Sequence, residues 1–96
     1  MDKKIEDIPV GDSKYRMYTY DKKKRGLHGR INFALKSIAI YAKGLDEDTV
    51  EETVLHELIH AVLKEMNHAQ YKDESFVTPF AYLLNKALRS RGKYHV

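Results

Sequence analysis

Val50–Met66 reads VEETVLHELIHAVLKEM, and the period of that stretch decides the fold. Apolar residues fall at Val50, Val54, Leu55, Leu58, Ile59, Val62, Leu63 and Met66, which is helical spacing throughout. At about 100° per residue, Leu55, Leu58, Ile59, Val62, Leu63 and Met66 are expected to share one broad buried face. Gly44-Leu45 closes the preceding region, and Asp46 or Asp48 can supply the N-cap. Asp48 with Glu51 three residues on is a capping-box variant. The spacing predicts a helix over 46–67.

Inside that helix stands His56-Glu57-Leu58-Ile59-His60, an H-E-x-x-H run. Residues four apart on a helix lie about 40° apart and one turn up, so both imidazoles can reach a single ion. Glu57 lies on the same side of the helix, displaced from the pair. It is too far round to complete the ligand set, yet near enough to take a proton from a water polarised by the ion. With five histidines and seven glutamates in 96 residues, chance places such a run somewhere with a probability of about 2%. Its position mid-helix, bordering the apolar face, is the context the chemistry requires.

Two histidines leave a site incomplete, because catalytic zinc usually takes three protein ligands. His68, Asp73 and Glu74 are the downstream candidates. Leu63 and Met66 stand three and six residues after His60, where a metzincin would need Gly and His. His68 would have to fold back sharply from the helix end. Glu74 shares a helical stripe with Val77, Ala81, Leu84 and Leu88, so it is expected to face inward at the start of a second helix over 73–90. Phe76, Phe80, Leu83, Leu84, Ala87 and Leu88 repeat at helical spacing there. The periodicity running back through Phe76 favours a start at Asp73 or Ser75, with a bend at Pro79. Thr78 as cap, with Pro79 at the first helical position, is the alternative. Arg89–Val96 is basic and expected to fray. His68, Tyr71 and Tyr82 are the candidates for stabilising a developing oxyanion; His28 and His95 read as structural or solvent-exposed.

Upstream, the period changes to two. Lys14–Tyr20 (KYRMYTY) is tyrosine-rich, Gly29–Phe33 (GRINF) alternates, and Ser37–Tyr41 carries Ile38 and Ile40 on one face. The connections are too short for crossover helices, which predicts a three-stranded antiparallel meander over 14–41. Residues 1–12 read as an ordered arm or short helix.

Composition bounds the rest. Ninety-six residues suit one domain, 1–96. The absence of cysteine excludes disulfide frameworks, iron–sulfur clusters and thiolate zinc fingers, so a transition metal here must be held by histidine and carboxylate. No apolar run has the length of a membrane span and Met1–Val10 lacks a signal-peptide core, so a soluble, cytoplasmic protein with no membrane partner is expected. Seventeen Lys+Arg against fourteen Asp+Glu give a net charge of +3. The densest basic run, Lys22-Lys23-Lys24-Arg25, has no aromatic residue within it and reads as a solvated loop tip rather than a nucleic-acid contact.

The order of strands, H-E-x-x-H helix and Glu-led helix resembles the gluzincin metallopeptidases in their smallest form. It looks most like the short zincin-like proteins of phages and prophages related to the ImmA/IrrE group and the minigluzincins. The matching pieces are Gly29-Arg30-Ile31 before Lys36-Ser37-Ile38-Ala39-Ile40, then Thr53–Ala61, then Asp73-Glu74-Ser75-Phe76-Val77 followed by Ala81. This covers residues 28–90. The resemblance implies an α+β zincin-like fold, Zn2+ held by His56, His60 and Glu74, and Glu57 as general base. It also implies that Gly29, Arg30, Ile31, Asn32 and Phe33 form an edge strand to which extended polypeptide adds. A bacterial or phage-infected cytoplasm follows as the expected setting. The alternative function is a non-catalytic binding module or phage regulator of the same fold, acting on a regulatory protein by contact.

Overall fold

The computed structural model describes residues 3–92. The chain runs β1 (Lys3–Val10), β2 (Ser13–Tyr20), β3 (Gly29–Asn32), β4 (Ser37–Tyr41), α1 (Glu47–Glu65) and α2 (Glu74–Ser90). The class is α+β, as expected. The sheet is not the three-stranded antiparallel meander that the short connections suggested. It has four strands in the order β1-β2-β4-β3, with β2 and β4 parallel and the other two pairs antiparallel. The segment between Tyr20 and Gly29 carries the chain past one strand position. β3 then returns along the outer edge, and a hairpin inserts β4 beside β2. No crossover helix is needed, because β3 itself makes the return.

The expected arm or short helix at residues 1–12 is instead β1, paired with β2 from Lys3↔Tyr20 to Val10↔Ser13. Gly11 has φ +61° and opens a two-residue hairpin loop, Gly11-Asp12. Glycine at the first loop position suits a type II′ turn, whose twist matches the flanking strands. Pro9 is tolerated because β1 is an edge strand.

Both helices lie on one side of the sheet. Val10, Tyr15, Met17, Ile38 and Ile40 pack there against Val50, Val54, Leu58 and Ala61 of α1. Ile59 and Leu63, on the opposite side of α1, pack against Val77 and Ala81 of α2. The single broad face expected for α1 is therefore two strips. Leu55 is half-buried, and Val62 and Met66 remain 44% and 63% exposed. His56, Glu57 and His60 line a groove between β3 and the start of α2. In α2 the buried stripe is Val77, Ala81 and Asn85, with Leu84 half-buried; Phe80 and Leu83, expected in the core, are exposed. Small residues at Val77 and Ala81 let the two helices approach closely, and the larger side chains are displaced to the rim.

Asp46 caps α1 by accepting from the Thr49 N–H at 2.8 Å, so the cap is the earlier of the two candidates. Asp48 and Glu51 do not form a capping box; they reach across to α2. Asp73 caps α2, accepting from Ser75 N at 2.9 Å, and the helix runs unbroken through Pro79. Arg89, expected in a frayed tail, lies inside α2 and pairs with Asp48 and Glu51. Residues 93–96, His95 among them, lie outside the described residues. No helix among the described residues is long and apolar enough to cross a membrane.

Candidate metal centre

The turn after α1 determines where Glu74 arrives. Asn67 takes φ +56°, the His68 N–H donates to Leu63 O at 2.9 Å, and the Asn67 N–H donates to Lys64 O at 3.0 Å. That pair of bonds is a Schellman motif, which ends the helix and reverses the chain. Asp73 then starts α2, and Glu74 becomes its first residue, opposite the histidine pair.

Glu74 Oε1 lies 2.7 Å from His56 Nε2, and Glu74 Oε2 lies 3.1 Å from His60 Nε2. One ligand atom from each of the three residues lies within 4.8 Å of the others. The three expected ligands are thus brought together, across 18 residues of sequence. His68 and Asp73 are not among them. His68 Nδ1 accepts from Gln70 N, its ring stacks on Phe76, and Asp73 is committed to its cap.

The His60 tautomer follows from its other nitrogen. Nδ1 lies 2.6 Å from Tyr71 O, and a carbonyl only accepts, so Nδ1 carries the hydrogen. A neutral ring then turns the lone pair of Nε2 toward the Glu74 carboxylate. Two acceptors at 3.1 Å repel unless a proton or a cation lies between them. A histidine oriented by a backbone carbonyl and facing a carboxylate and a second imidazole is the arrangement a divalent cation uses. The donor set therefore fits a metal of the kind that nitrogen and carboxylate oxygen hold.

Glu57 is only 5% exposed. Burial pushes its carboxyl up to about 7; the Glu74 charge adds to the rise and His60 opposes it. Glu57 is so close to the ligands that a cation in the site would favour its ionised form.

Glu57 and the three metal-ligand candidates line a cavity of about 450 Å3. Gly29, Arg30 and Ile31 of β3 form its far wall, with Lys72 at the rim. β3 is the sheet edge, and its outer side has no strand partner among the described residues. Of the expected edge strand, Asn32 does not line this cavity, whereas Phe33 lines it from just past the strand end. Asn32 Oδ1 accepts from Leu35 N inside the hairpin loop, and Phe33 lies beyond the strand, its ring edge-on to Tyr71 at 5.0 Å and His60 at 6.2 Å. A second cavity of about 520 Å3 adjoins the first through His56, Glu57 and Gly29, and its wall includes Glu52 and His28. Gly29 is required where the two meet. A Cβ there would lie 2.8 Å from Thr53 Cγ2 and 3.1 Å from Ala39 O, so only glycine lets α1 come this close to the sheet.

Neither Tyr82 nor His68 lines the cavity; Tyr82 is exposed on α2 beneath Lys86. Tyr71 contributes a backbone carbonyl and a packed ring. Lys72 was not singled out in the sequence, where it is one lysine in a polar loop; only the fold of the 67–73 turn brings it to the rim. Comparison of the chain with protein-family models, with curated proteins and with solved structures found no match.

Proposed function

We infer that the protein is a zinc-dependent peptidase of the gluzincin type, acting on extended polypeptide. The convergence of His56, His60 and Glu74 beside the buried Glu57 carries this reading. Histidine, histidine and glutamate is a donor set suited to zinc, and three protein ligands leave a position open. When bound, zinc supplies a Lewis acid that polarises the scissile carbonyl and makes a water more acidic.

The chain's own residues do the rest. Glu57, with its affinity for a proton raised by burial, takes the proton of the attacking water and passes it to the leaving amine. Lys72 puts positive charge at the cavity wall, where it favours charge developing on the carbonyl oxygen. The free edge of β3 offers backbone N–H and C=O groups to an extended chain and holds it across the site. Tyr71, through its carbonyl, keeps His60 in the ligating tautomer.

Glu57 also separates this reading from that of a contact-only module, since a purely structural metal site has no need of a buried carboxylate beside it. Glu57→Gln is expected to retain zinc at one equivalent and to lose hydrolysis of an unfolded polypeptide by at least about 100-fold. Turnover retained by that variant would remove Glu57 as base. Zinc-loaded protein that cleaves no polypeptide while binding one would support the contact-only reading.

A further inference from the structure

The face of the sheet turned away from the helices carries a second arrangement that the metal centre does not use. Tyr15, Met17, Ile38 and Ile40 point to the helices, so the alternation of a strand sends Tyr18, Tyr20, Ala39 and Tyr41 to the other side. No helix covers that side among the described residues. The register sets Tyr20 opposite Tyr41, and Tyr18 beside Ala39, whose other neighbour is Arg30. The rings are stacked as a row: Tyr18 and Tyr20 at 6.2 Å and 10° between planes, Tyr20 and Tyr41 at 5.6 Å and 13°. Tyr18 and Tyr20 are half-buried and Tyr41 is buried at 5% exposure, so the first two present ring surface and the third supports them from beneath.

Each ring has its own cation. Lys3 Nζ lies 5.7 Å from the Tyr18 centroid, Lys22 Nζ 4.7 Å from Tyr20, and Lys24 Nζ 5.6 Å from Tyr41. The basic loop that read as a solvated tip is therefore laid along the tyrosine row. It is also held there: the Leu27 N–H donates to Lys24 O at 3.0 Å, and the Lys43 N–H donates to Lys22 O at 3.4 Å. A depression of about 250 Å3, floored by Ala39, opens between Tyr18, Tyr41 and Arg30. The acid at a strand position of this face, Asp7, is already paired with Arg16 at 2.9 Å.

We propose that this open sheet face binds single-stranded nucleic acid, Tyr18 and Tyr20 receiving bases on the support of the buried Tyr41 ring, and Lys3, Lys22, Lys24 and Arg30 receiving phosphates. Aromatic side chains on a sheet flanked by cations are the physical means by which unpaired bases are held without sequence readout. A lysine resting over a ring can swing to a phosphate and yield the ring face to a base, so both attractions are satisfied together. A duplex hides its base faces and can use only the charge. An anionic membrane likewise uses the charge and leaves the rings without partners. The site is independent of the metal centre, which lies in a groove on the helix side of the sheet.

The test is fluorescence anisotropy of a labelled single strand of about 12 nucleotides titrated with the full chain. Binding in the micromolar range at low salt is expected. Log affinity should fall with log salt at about 0.7 per phosphate contacted, giving a slope of roughly −2 to −3. The chain contains seven tyrosines and no tryptophan, so quenching of its intrinsic fluorescence reports stacking directly. Tyr18→Leu keeps the bulk and removes the ring, and is expected to weaken binding about tenfold with the salt slope unchanged. Lys22→Glu with Lys24→Glu, both at exposed positions, should lower affinity and flatten the slope even if the tyrosine variant fails to fold. His60→Ala should leave binding unchanged. The proposal is overturned by no anisotropy change at low salt, by equal affinity for the matching duplex, by Tyr18→Leu binding as the parent does, or by tighter binding to vesicles of anionic lipid.

Discussion

The two ends of the α1–α2 pair are closed by polar groups in opposite ways. At one end Asp48 Oδ1 accepts from Asn85 Nδ2 at 2.7 Å, Lys86 Nζ lies 3.2 Å from Asp48 Oδ2, and Arg89 reaches both Asp48 and Glu51. Asp48 and Glu51 both meet donors from the facing helix, and the Asn85 hydrogen bond, followed by Lys86, holds the Asp48 carboxyl below its usual range. At the other end Glu74 meets His56 and His60, and the neutral His60 ring, with its Nδ1 hydrogen on Tyr71 O, turns a lone pair toward the carboxylate. The first end is complete as protein. The second becomes complete when something positive enters it. The same helix pair thus forms a clasp at one end and, at the other, a His–His–Glu group spaced as a cation would need, and the difference lies in whether donors or acceptors face the acid.

The largest effect is expected at the His56–His60–Glu74 end. His60→Ala is expected to reduce zinc affinity by at least about 100-fold, because it removes a ligand and the one whose tautomer is held. Zinc at 100 times its dissociation constant should stabilise the parent chain by about 2.7 kcal/mol, raising its melting temperature by roughly 10–20 °C. A chelator should erase that gain in the parent and leave His60→Ala unmoved. Equal zinc content in parent and variant would end the case for this site.

A smaller effect is expected at the clasp. Asn85 is fully buried, and Asn85→Ala takes a donor from Asp48 inside the helix interface. A loss of about 1–3 kcal/mol in urea unfolding is expected, with zinc affinity per folded molecule unchanged. Coupled loss of zinc affinity would mean that the two ends act as one unit.

The smallest effect is the response to acid. The folded Asp48 carboxyl titrates below its unfolded value, so its contribution is fully present above the unfolded pKa. It is lost as pH falls through the lower folded one. Metal-free protein should therefore lose stability on acidification below about pH 4, and Asp48→Asn should show a flatter acid limb. An identical acid limb in parent and variant would show that the clasp is not what acid opens.

Much of the site was legible because it is local. The i, i+4 spacing of His56 and His60 is a property of any helix, and the stripe through Glu74, Val77 and Ala81 told which way α2 faces. Glu57 could be placed beside the histidine pair for the same reason. The non-local part was harder. Nothing in the periodicity of Lys14–Tyr41 distinguishes a meander from a sheet in which β4 is inserted between β2 and β3, since both present the same alternation to the helices. β1 was missed for another reason. Half of its strand positions are charged, because as an edge it buries only Val10 and part of Ile8, although Gly11-Asp12 between two runs is a readable hairpin signal. The two buried strips of α1 could not be told from one broad face, because the count of apolar residues is the same. The tyrosine row was hidden because Tyr18 and Tyr20 come from one strand and Tyr41 from another, and the lysines above them from a loop and from β1.

The sheet topology also bears on how the chain reaches this state. The sheet consists of two local hairpins, β1–β2 and β3–β4, joined through a single parallel seam from Arg16↔Ser37 to Tyr20↔Tyr41. Each hairpin closes a short stretch of chain and can form early; the seam requires both to exist and to meet in register. Peptide hydrogens along the β2–β4 seam should therefore be among the last to exchange, and mutations there should slow folding more than mutations at the tip of either hairpin. The edge that faces the His56–Glu74 groove belongs to the second hairpin, so the wall of the groove can form before the helix that carries the histidines docks against it.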